Sequence, residues 1–244
     1  MSPIEIVQTL IAAIESRDLR RIAAALSPDA RWQNVPHEAA TGRGRVIAML
    51  APIVTWSDRV AWEIVTIATD ERHVIAERVD RFWINGEEHA VRCNGVFEVD
   101  PERAIVTAVR DYVDLVEWRG RITPVYDRMS KRSPLAVVGR HLAAVDRREV
   151  ASMAADYALD ATLTRGGDEL TGWFEIADYF DSVPARLTGR SLEFADVAEH
   201  PDGTVTVRWT ITDGAAESAS GTDTYLVANG RIVAQSVALA TDDF

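Results

Sequence analysis

Asp111, Arg78 and Asp80 are the residues of this 244-residue chain best placed to do chemistry. In the alternating stretch 104–115, Ile105, Val109, Asp111, Val113 and Leu115 fall on one strand face, while Arg110, Tyr112 and Asp114 fall on the other. An ionised carboxylate amid apolar side chains is costly and needs a partner. In 72–84, Val74, Ala76, Arg78, Asp80 and Phe82 share a face, so a cation and a second acid interrupt it in the same way. In 30–35, Trp32 and Asn34 share a face. Three strands thus each place polar groups among apolar ones, and together they can line one pocket, with Trp32, Phe82 and Val109 expected as its substrate- and water-facing wall.

Two acids and an arginine can also be no more than a satisfied buried ion network. The chemical reading asks for more. An arginine between two carboxylates can hold them in different protonation states, one ionised as a base and one protonated as an acid. Acid and base on opposite sides of a small molecule suit the addition of water across a strained ring. The Asn34 amide, which both donates and accepts, can orient that water.

These residues need elements to carry them. Helical periodicity predicts helices over 3–16 and 18–26, a short strand at 30–35 and a helix near 43–53. Alternating stretches follow at about 59–68, 72–84, 88–99 and 104–115, broken by turn signals at Asp70-Glu71, Asn85-Gly86 and Asp100-Pro101. Segregated helices on one face of a largely antiparallel sheet give an α+β architecture. A curved sheet closed on one side by helices makes a cone with an interior pocket.

The pattern occurs twice. Residues 6–32 and 137–163 align without a gap: Ala12-Ala13-Ile14 over Ala143-Ala144-Val145, Arg17 over Arg148, Asp29-Ala30 over Asp160-Ala161. Thr41-Gly42 then meets Thr171-Gly172, and Ile105-Val106 meets Ile232-Val233. Tandem domains over 1–125 and 134–244 are expected, joined by the polar, Pro-bounded segment WRGRITPVYDRMSKRSP.

Trp32-Gln33-Asn34-Val35-Pro36, Gly42-Arg43, Glu77-Arg78-Val79-Asp80, Gly95-Val96-Phe97-Glu98-Val99 and Arg110-Asp111-Tyr112-Val113-Asp114-Leu115 together resemble the limonene-1,2-epoxide hydrolase family. The resemblance covers nearly all of residues 1–118. It implies that Asp111 is the general base, Asp80 the general acid, Arg78 the bridge between them, and Asn34 a holder of the nucleophilic water. It implies one-step attack on the epoxide, with no covalent enzyme ester, no metal and no organic cofactor. The family usually has a tyrosine where Trp32 stands. An indole N–H only donates, whereas a phenol donates and accepts.

The repeat makes the second half a degenerate copy in the same superfamily, giving two tandem cone-shaped NTF2-like/SnoaL-like domains, each a curved mixed sheet with N-terminal helices. Matching Ile105-Val106 to Ile232-Val233 puts Ala238 where Asp111 stands, Arg165 opposite Asn34 and Leu163 opposite Trp32, and no acid near Arg208-Trp209-Thr210 falls where Asp80 would require it. The second half is therefore expected to be non-catalytic, with Arg165, Asp178, Asp181 and Asp196 the candidates for any different site. Family members commonly pair sheet to sheet as homodimers, so a fused second copy implies a pseudo-dimer within the chain, open to further homodimerisation.

Composition narrows the partners. With 26 Lys+Arg against 38 Asp+Glu, the net charge is −12, which repels phosphate backbones and anionic membranes. The single cysteine, Cys93, excludes a disulfide framework and a cysteine metal site, and its strand neighbours Val91, Phe97 and Val99 make it a core thiol. The five histidines show no metal-ligand spacing. The N-terminus carries acids and lacks the basic stretch of a signal peptide, so a cytoplasmic protein is expected. The expected function is hydrolysis of a small apolar epoxide to a vicinal diol. The alternatives are a polyether-type cyclase, in which a substrate hydroxyl replaces water, and a non-catalytic binder of apolar small molecules.

Overall fold

A computed structural model describes residues 1–241. The chain divides into two units, Met1–Asp127 and Arg128 onward. In the first, α1 (Pro3–Glu15) and α2 (Leu19–Ala25) lead into β1 (Leu26–Val35) and β2 (Ala40–Thr41). Then come α3 (Arg43–Trp56), β3 (Arg59–Thr69), β4 (His73–Ile84), β5 (Glu87–Asp100) and β6 (Ile105–Val113). The start of α1 is fixed locally: Ser2 and Glu5 form a reciprocal capping box, with Pro3 in the first turn. The helix buries Ile6, Val7, Leu10 and Ile14 on one stripe.

The six strands are ordered β2-β1-β6-β5-β4-β3, antiparallel except where β1 runs parallel to β6. This is the expected α+β arrangement, a mixed and largely antiparallel sheet preceded by helices. β4 alternates strictly: Val74, Ala76, Arg78, Asp80, Phe82 and Ile84 are buried and their neighbours are not. The hairpin from β4 to β5 turns at Asn85 and Gly86, both with positive φ (53° and 76°), the combination a type I′ turn requires.

One face assignment changes along β6. The register slips between Glu98 and Val99 on β5, where β6 passes from Ala108 to Val106. The extra residue, Thr107, shifts the side-chain phase. Val106 is therefore the buried residue, at 0% exposure, rather than Ile105, which is half-buried.

The segment expected as a linker is largely helical. It contains α4 (Leu115–Arg121) and α5 (Thr123–Ser130), with Asp114 capping α4 and Ile122, Val125 and Met129 buried. Val125 and Met129 stand four residues apart on one helix face, a spacing that a reading for polarity and proline overlooks.

The second unit repeats the order. It comprises α6 (Pro134–Asp146), α7 (Val150–Met153), β7 (Tyr157–Arg165), β8 (Asp168–Thr171), α8 (Trp173–Arg186), β9 (Ser191–Glu199), β10 (Thr204–Asp213), β11 (Ala216–Ala228) and β12 (Arg231–Leu239). Its sheet is ordered β8-β7-β12-β11-β10-β9, the same topology. The repeat reaches the backbone: Gly42 (φ 90°) and Gly172 (φ 85°) open α3 and α8 in a conformation that favours glycine, and Arg17 and Arg148 share φ values of 59° and 56°.

Asp156, fully buried at the start of β7, is held by Arg132 at 2.6 Å and Arg140 at 3.0 Å. Removing one member of a buried ion cluster leaves uncompensated charge. Asp156→Ala should therefore lower stability by about 3 kcal/mol in urea unfolding followed by circular dichroism. An unchanged midpoint would show that the two arginines are solvated well enough to stand alone.

Candidate active site

The sheet brings Trp32, Arg78, Asp80 and Asp111 together on its buried face. β5 separates β4 from β6, so Arg78 must reach across it to touch Asp111. It does so over Gly95, which pairs with Ala76 on one side and Asp111 on the other. A Cβ at Gly95 would fall 2.1 Å from Arg78 Nη1 and 2.9 Å from Asp111 Oδ1. The missing side chain is the channel the guanidinium occupies. Sequence reading quoted Gly95 only as part of a motif, because the need for space arises from two residues on neighbouring strands.

Arg78 has no side-chain exposure. Its Nε donates to Asp80 Oδ1 at 2.8 Å and its Nη2 to Asp80 Oδ2 at 3.2 Å. Nη2 also lies 2.9 Å from Asp111 Oδ1, an ionic contact whose geometry is not that of an aligned hydrogen bond. The guanidinium is stacked 4.3 Å over the Trp62 ring, with the Phe97 ring at 5.5 Å. Burial opposes its charge, but Asp111 and Asp80 outweigh burial and raise its pKa. The guanidinium is therefore a permanent charge.

The acids differ. Burial pushes Asp80 up to about 6; the Arg78 charge pulls against this and the Asp111 charge adds to it. Asp80 thus keeps a proton closer to neutrality than an ordinary aspartate does. Burial also pushes the Cys93 thiol up, which keeps it protonated. Asp111 accepts a 3.0 Å hydrogen bond from Trp32 Nε1 on Oδ2. Trp32 is 1% exposed and meets Trp62 edge to face at 6.1 Å, so its indole is fixed as well as donating. Trp32, expected as pocket wall, is a buried ring that also makes a polar contact to the acid.

Asn34 pairs in register with Asp111 and is half-buried, but its amide nitrogen lies nearest Met49 Sδ at 4.0 Å rather than a carboxylate. Phe82 and Val109 are buried at 2% and 1% exposure on the same face as the acids. Trp62, not singled out from the sequence, stands opposite Asp80 on β3, and its buried indole N–H has no acceptor among the described residues. No cluster of three or more potential metal ligands occurs among the described residues.

The second unit corrects the expected correspondence. Counting across its sheet, Arg165 pairs with Val237 as Asn34 pairs with Asp111, so Val237 rather than Ala238 takes the place of the acid. The Ile-Val dipeptides misled by one residue, because the buried members are Val106 and Ile232. Leu163 does correspond to Trp32, and Trp209 and Ile211 stand where Arg78 and Asp80 would be. Asp178, Asp181 and Asp196 are exposed, Asp196 in a surface pair with Arg208 at 2.7 Å; Arg165 is buried.

Fold and site together define a tandem pair of α+β domains of the NTF2-like/SnoaL-like type, the first carrying an arginine-bridged acid pair. Residues 1–120 match the family model described as the limonene-1,2-epoxide hydrolase catalytic domain, and residues 138–235 match the SnoaL-like domain. Among similar solved structures is an LEH-like epoxide hydrolase from M. tuberculosis, 28% identical over 50% of this chain and 91% of that one, with a TM-score of 0.42. A putative SnoaL-like polyketide cyclase from Shewanella putrefaciens CN-32 is 12% identical over 50% and 96%, with a TM-score of 0.44. An epoxide hydrolase/cyclase-like enzyme, SalBIII, described as having a role in pyran ring formation in polyether salinomycin, is 17% identical over 47% and 92%, with a TM-score of 0.42. No helix among the described residues is long and apolar enough to cross a membrane.

The space over Gly95 yields a test. Gly95→Ala forces Arg78 or β5 to move, and overpacking of this kind costs about 1–3 kcal/mol. Equal stability of Gly95→Ala and wild type in denaturant unfolding would show that the guanidinium is not wedged there.

Proposed function

We propose that the first domain opens an epoxide on a small apolar molecule by adding water, giving a vicinal diol. The observation that carries this reading is one buried arginine shared by two carboxylates, of which Asp80 is pushed up to about 6. Asp111, ionised, takes a proton from water as the water oxygen attacks a ring carbon. The C–O bond breaks, and Asp80 gives its proton to the departing ring oxygen. Asp111 ends protonated and Asp80 ionised, and proton exchange with solvent resets the pair. Arg78 faces one carboxylate charge before the step and one after, so no net charge is created in a dry site. The match of residues 1–120 to the limonene-1,2-epoxide hydrolase catalytic domain supports the same assignment. A plain binder of apolar molecules has no use for two costly buried acids.

A second reading has its own observation. Trp32 already occupies one oxygen of the base, and the Asn34 amide is directed toward Met49. A substrate hydroxyl, held by its own tether, needs less positioning than a free water. Such a molecule would cyclise instead of being hydrolysed. Turnover of a simple cyclic epoxide in heavy-oxygen water separates the two: label in the diol supports hydrolysis, whereas an inert simple epoxide together with unlabelled ring closure of a hydroxy-epoxide supports cyclisation.

Two kinetic outcomes are expected. Asp111→Asn, nearly isosteric, should fold and lose about 10²–10⁴-fold in kcat. Wild-type turnover in that variant would displace Asp111 from the base role. Because Asp80 acts as the acid, kcat/KM should fall as pH rises through about 6, where Asp80 gives up its proton. Asp80→Asn should remove that limb along with most of the rate, and a limb that persists in the variant belongs to another group.

A further inference from the structure

The second domain has a cavity of its own, about 50 Å³ in volume and partly open to solvent. Asp223, 7% exposed, lines it. The sheet register places Asp223 where the first domain has Gly95, one strand away from the position of Asp111. The acid is built in rather than stray. Trp209 Nε1 donates to its Oδ1 at 2.8 Å. The Tyr225 hydroxyl and Gln235 Nε2 donate to its Oδ2 at 2.8 and 2.9 Å. Gln235 Oε1 in turn accepts from the Tyr157 hydroxyl. Gly221 makes room for the Trp209 ring, which a Cβ there would meet at 2.6 Å.

Of the polar side chains lining the cavity, Arg165, Tyr179, Trp209, Tyr225 and Gln235 already have partners, and acceptor capacity is left on two groups. A carboxylate offers about four acceptor positions. Three on Asp223 are taken, which leaves one on Oδ1. His141, on α6, also lines the cavity. Its Nδ1 lies 2.8 Å from the Met153 carbonyl, which can only accept, so Nδ1 carries the hydrogen. Burial pushes His141 down to about 4, so the ring is neutral near pH 7 and its Nε2 is an acceptor. Edge contacts with Tyr157, Phe180 and Tyr225, with centroids at 5.3–5.6 Å, hold the ring in place. Around these two acceptors much of the wall is apolar, including Val145, Phe180, Val183, Leu187 and Ile211, with the partnered Arg165 and Tyr179 also on it. Burial pushes the Asp223 carboxyl up; the hydrogen bonds from Trp209, Tyr225 and Gln235 and the charge of Arg165, whose guanidinium lies 5.4 Å from the Trp209 ring centroid, pull against this and favour the ionised form. The carboxylate thus has its counter-charge within the site, and a cationic ligand would meet Arg165 as a repulsion.

We propose that the second domain is a separate binding site for a neutral, apolar small molecule, alcohol or phenol, whose hydroxyl donates to the Asp223 carboxylate, with His141 Nε2 as a second acceptor. The site is independent of the epoxide chemistry assigned to the first domain. Complementarity sets the ligand class: two acceptors in an apolar wall reward a donor and leave an ether unpaired.

Calorimetric titration of the full chain with 4-ethylphenol and with its methyl ether, 4-ethylanisole, tests this directly. The phenol should bind saturably and about tenfold or more tighter than the ether, the difference expected for one hydrogen bond to a charged acceptor. Asp223→Asn should weaken phenol binding by about the same factor and leave the ether unchanged. Leu192 also lines the cavity, and Leu192→Trp, which puts a larger side chain into it from β9 and replaces no member of the polar network, should abolish binding of both and decides the matter if Asp223→Asn does not fold. The proposal is overturned if the phenol shows no saturable binding up to about 1 mM, if phenol and ether bind alike, or if Leu192→Trp binds the phenol as wild type does.

Discussion

A guanidinium with no exposed side-chain surface sets the terms for the first domain. Arg78 is a permanent cation in an apolar interior, and such a charge persists only with opposite charge and hydrogen bonds in direct contact. The bidentate contact with Asp80 meets part of that demand and the ionic contact with Asp111 another part. The remaining features follow. Trp62 and Phe97 offer π faces to the flat cation, and Gly95 gives up its side chain so that the guanidinium can cross a strand. Burial pushes Asp80 toward its protonated form, the Arg78 charge pulls against this, and the second acid, Asp111, adds to it. The raised acid that the proposed epoxide opening needs thus follows from burying two carboxyls around a single cation.

The second domain answers the same architectural problem with charge and space exchanged. Trp209 takes the position of Arg78, and Asp223 fills the slot that Gly95 keeps open. With an aromatic ring in place of the guanidinium nothing needs to cross β11, so the space can hold a carboxylate. Neutral donors from Trp209, Tyr225 and Gln235 then do for Asp223 most of what Arg78 does for Asp80. A carboxylate held by neutral donors cannot pass its charge to a neighbouring acid. This arrangement favours recognition over proton exchange, and the two sites differ in kind although their backbones repeat.

What was legible in the sequence follows from what is local. Strand alternation placed Arg78, Asp80 and Phe82 on one face, because a period of two needs only neighbouring residues. The tandem repeat was legible because helix stripes and the Thr-Gly turns recur in order. Three things were hidden because they depend on cross-strand register. The bulge at Thr107 moved burial from Ile105 to Val106, and aligning dipeptides by type rather than by burial carried a one-residue error into the second domain. Gly95 was unremarkable until Arg78 was seen to lie over it. The cluster around Asp223 draws on four strands, and none of its members is unusual in its own stretch of sequence. Asp178, Asp181 and Asp196 attracted notice as acids, but exposed acids are cheap and need no partner.

The indole of Trp32 bears most directly on the choice of nucleophile. A group that only donates can hold an ionised carboxylate in place, but it cannot accept a hydrogen from a water lodged between them. In the proposed reaction Trp32 therefore fixes the base and leaves the nucleophile to be positioned by other groups. The groups left on that face are the Asn34 amide and the Asp111 oxygen nearest Arg78, while Trp62 offers a buried N–H able to donate to a substrate oxygen. If Asn34 rotates from the Met49 sulfur toward the acid, a water has both a donor and an acceptor, and hydrolysis proceeds. If it does not, only a nucleophile carried by the substrate can meet the base in the required geometry. The balance between the two outcomes rests on a weak 4.0 Å contact to sulfur, which costs little to break. Such a small barrier favours water wherever the substrate offers no hydroxyl of its own.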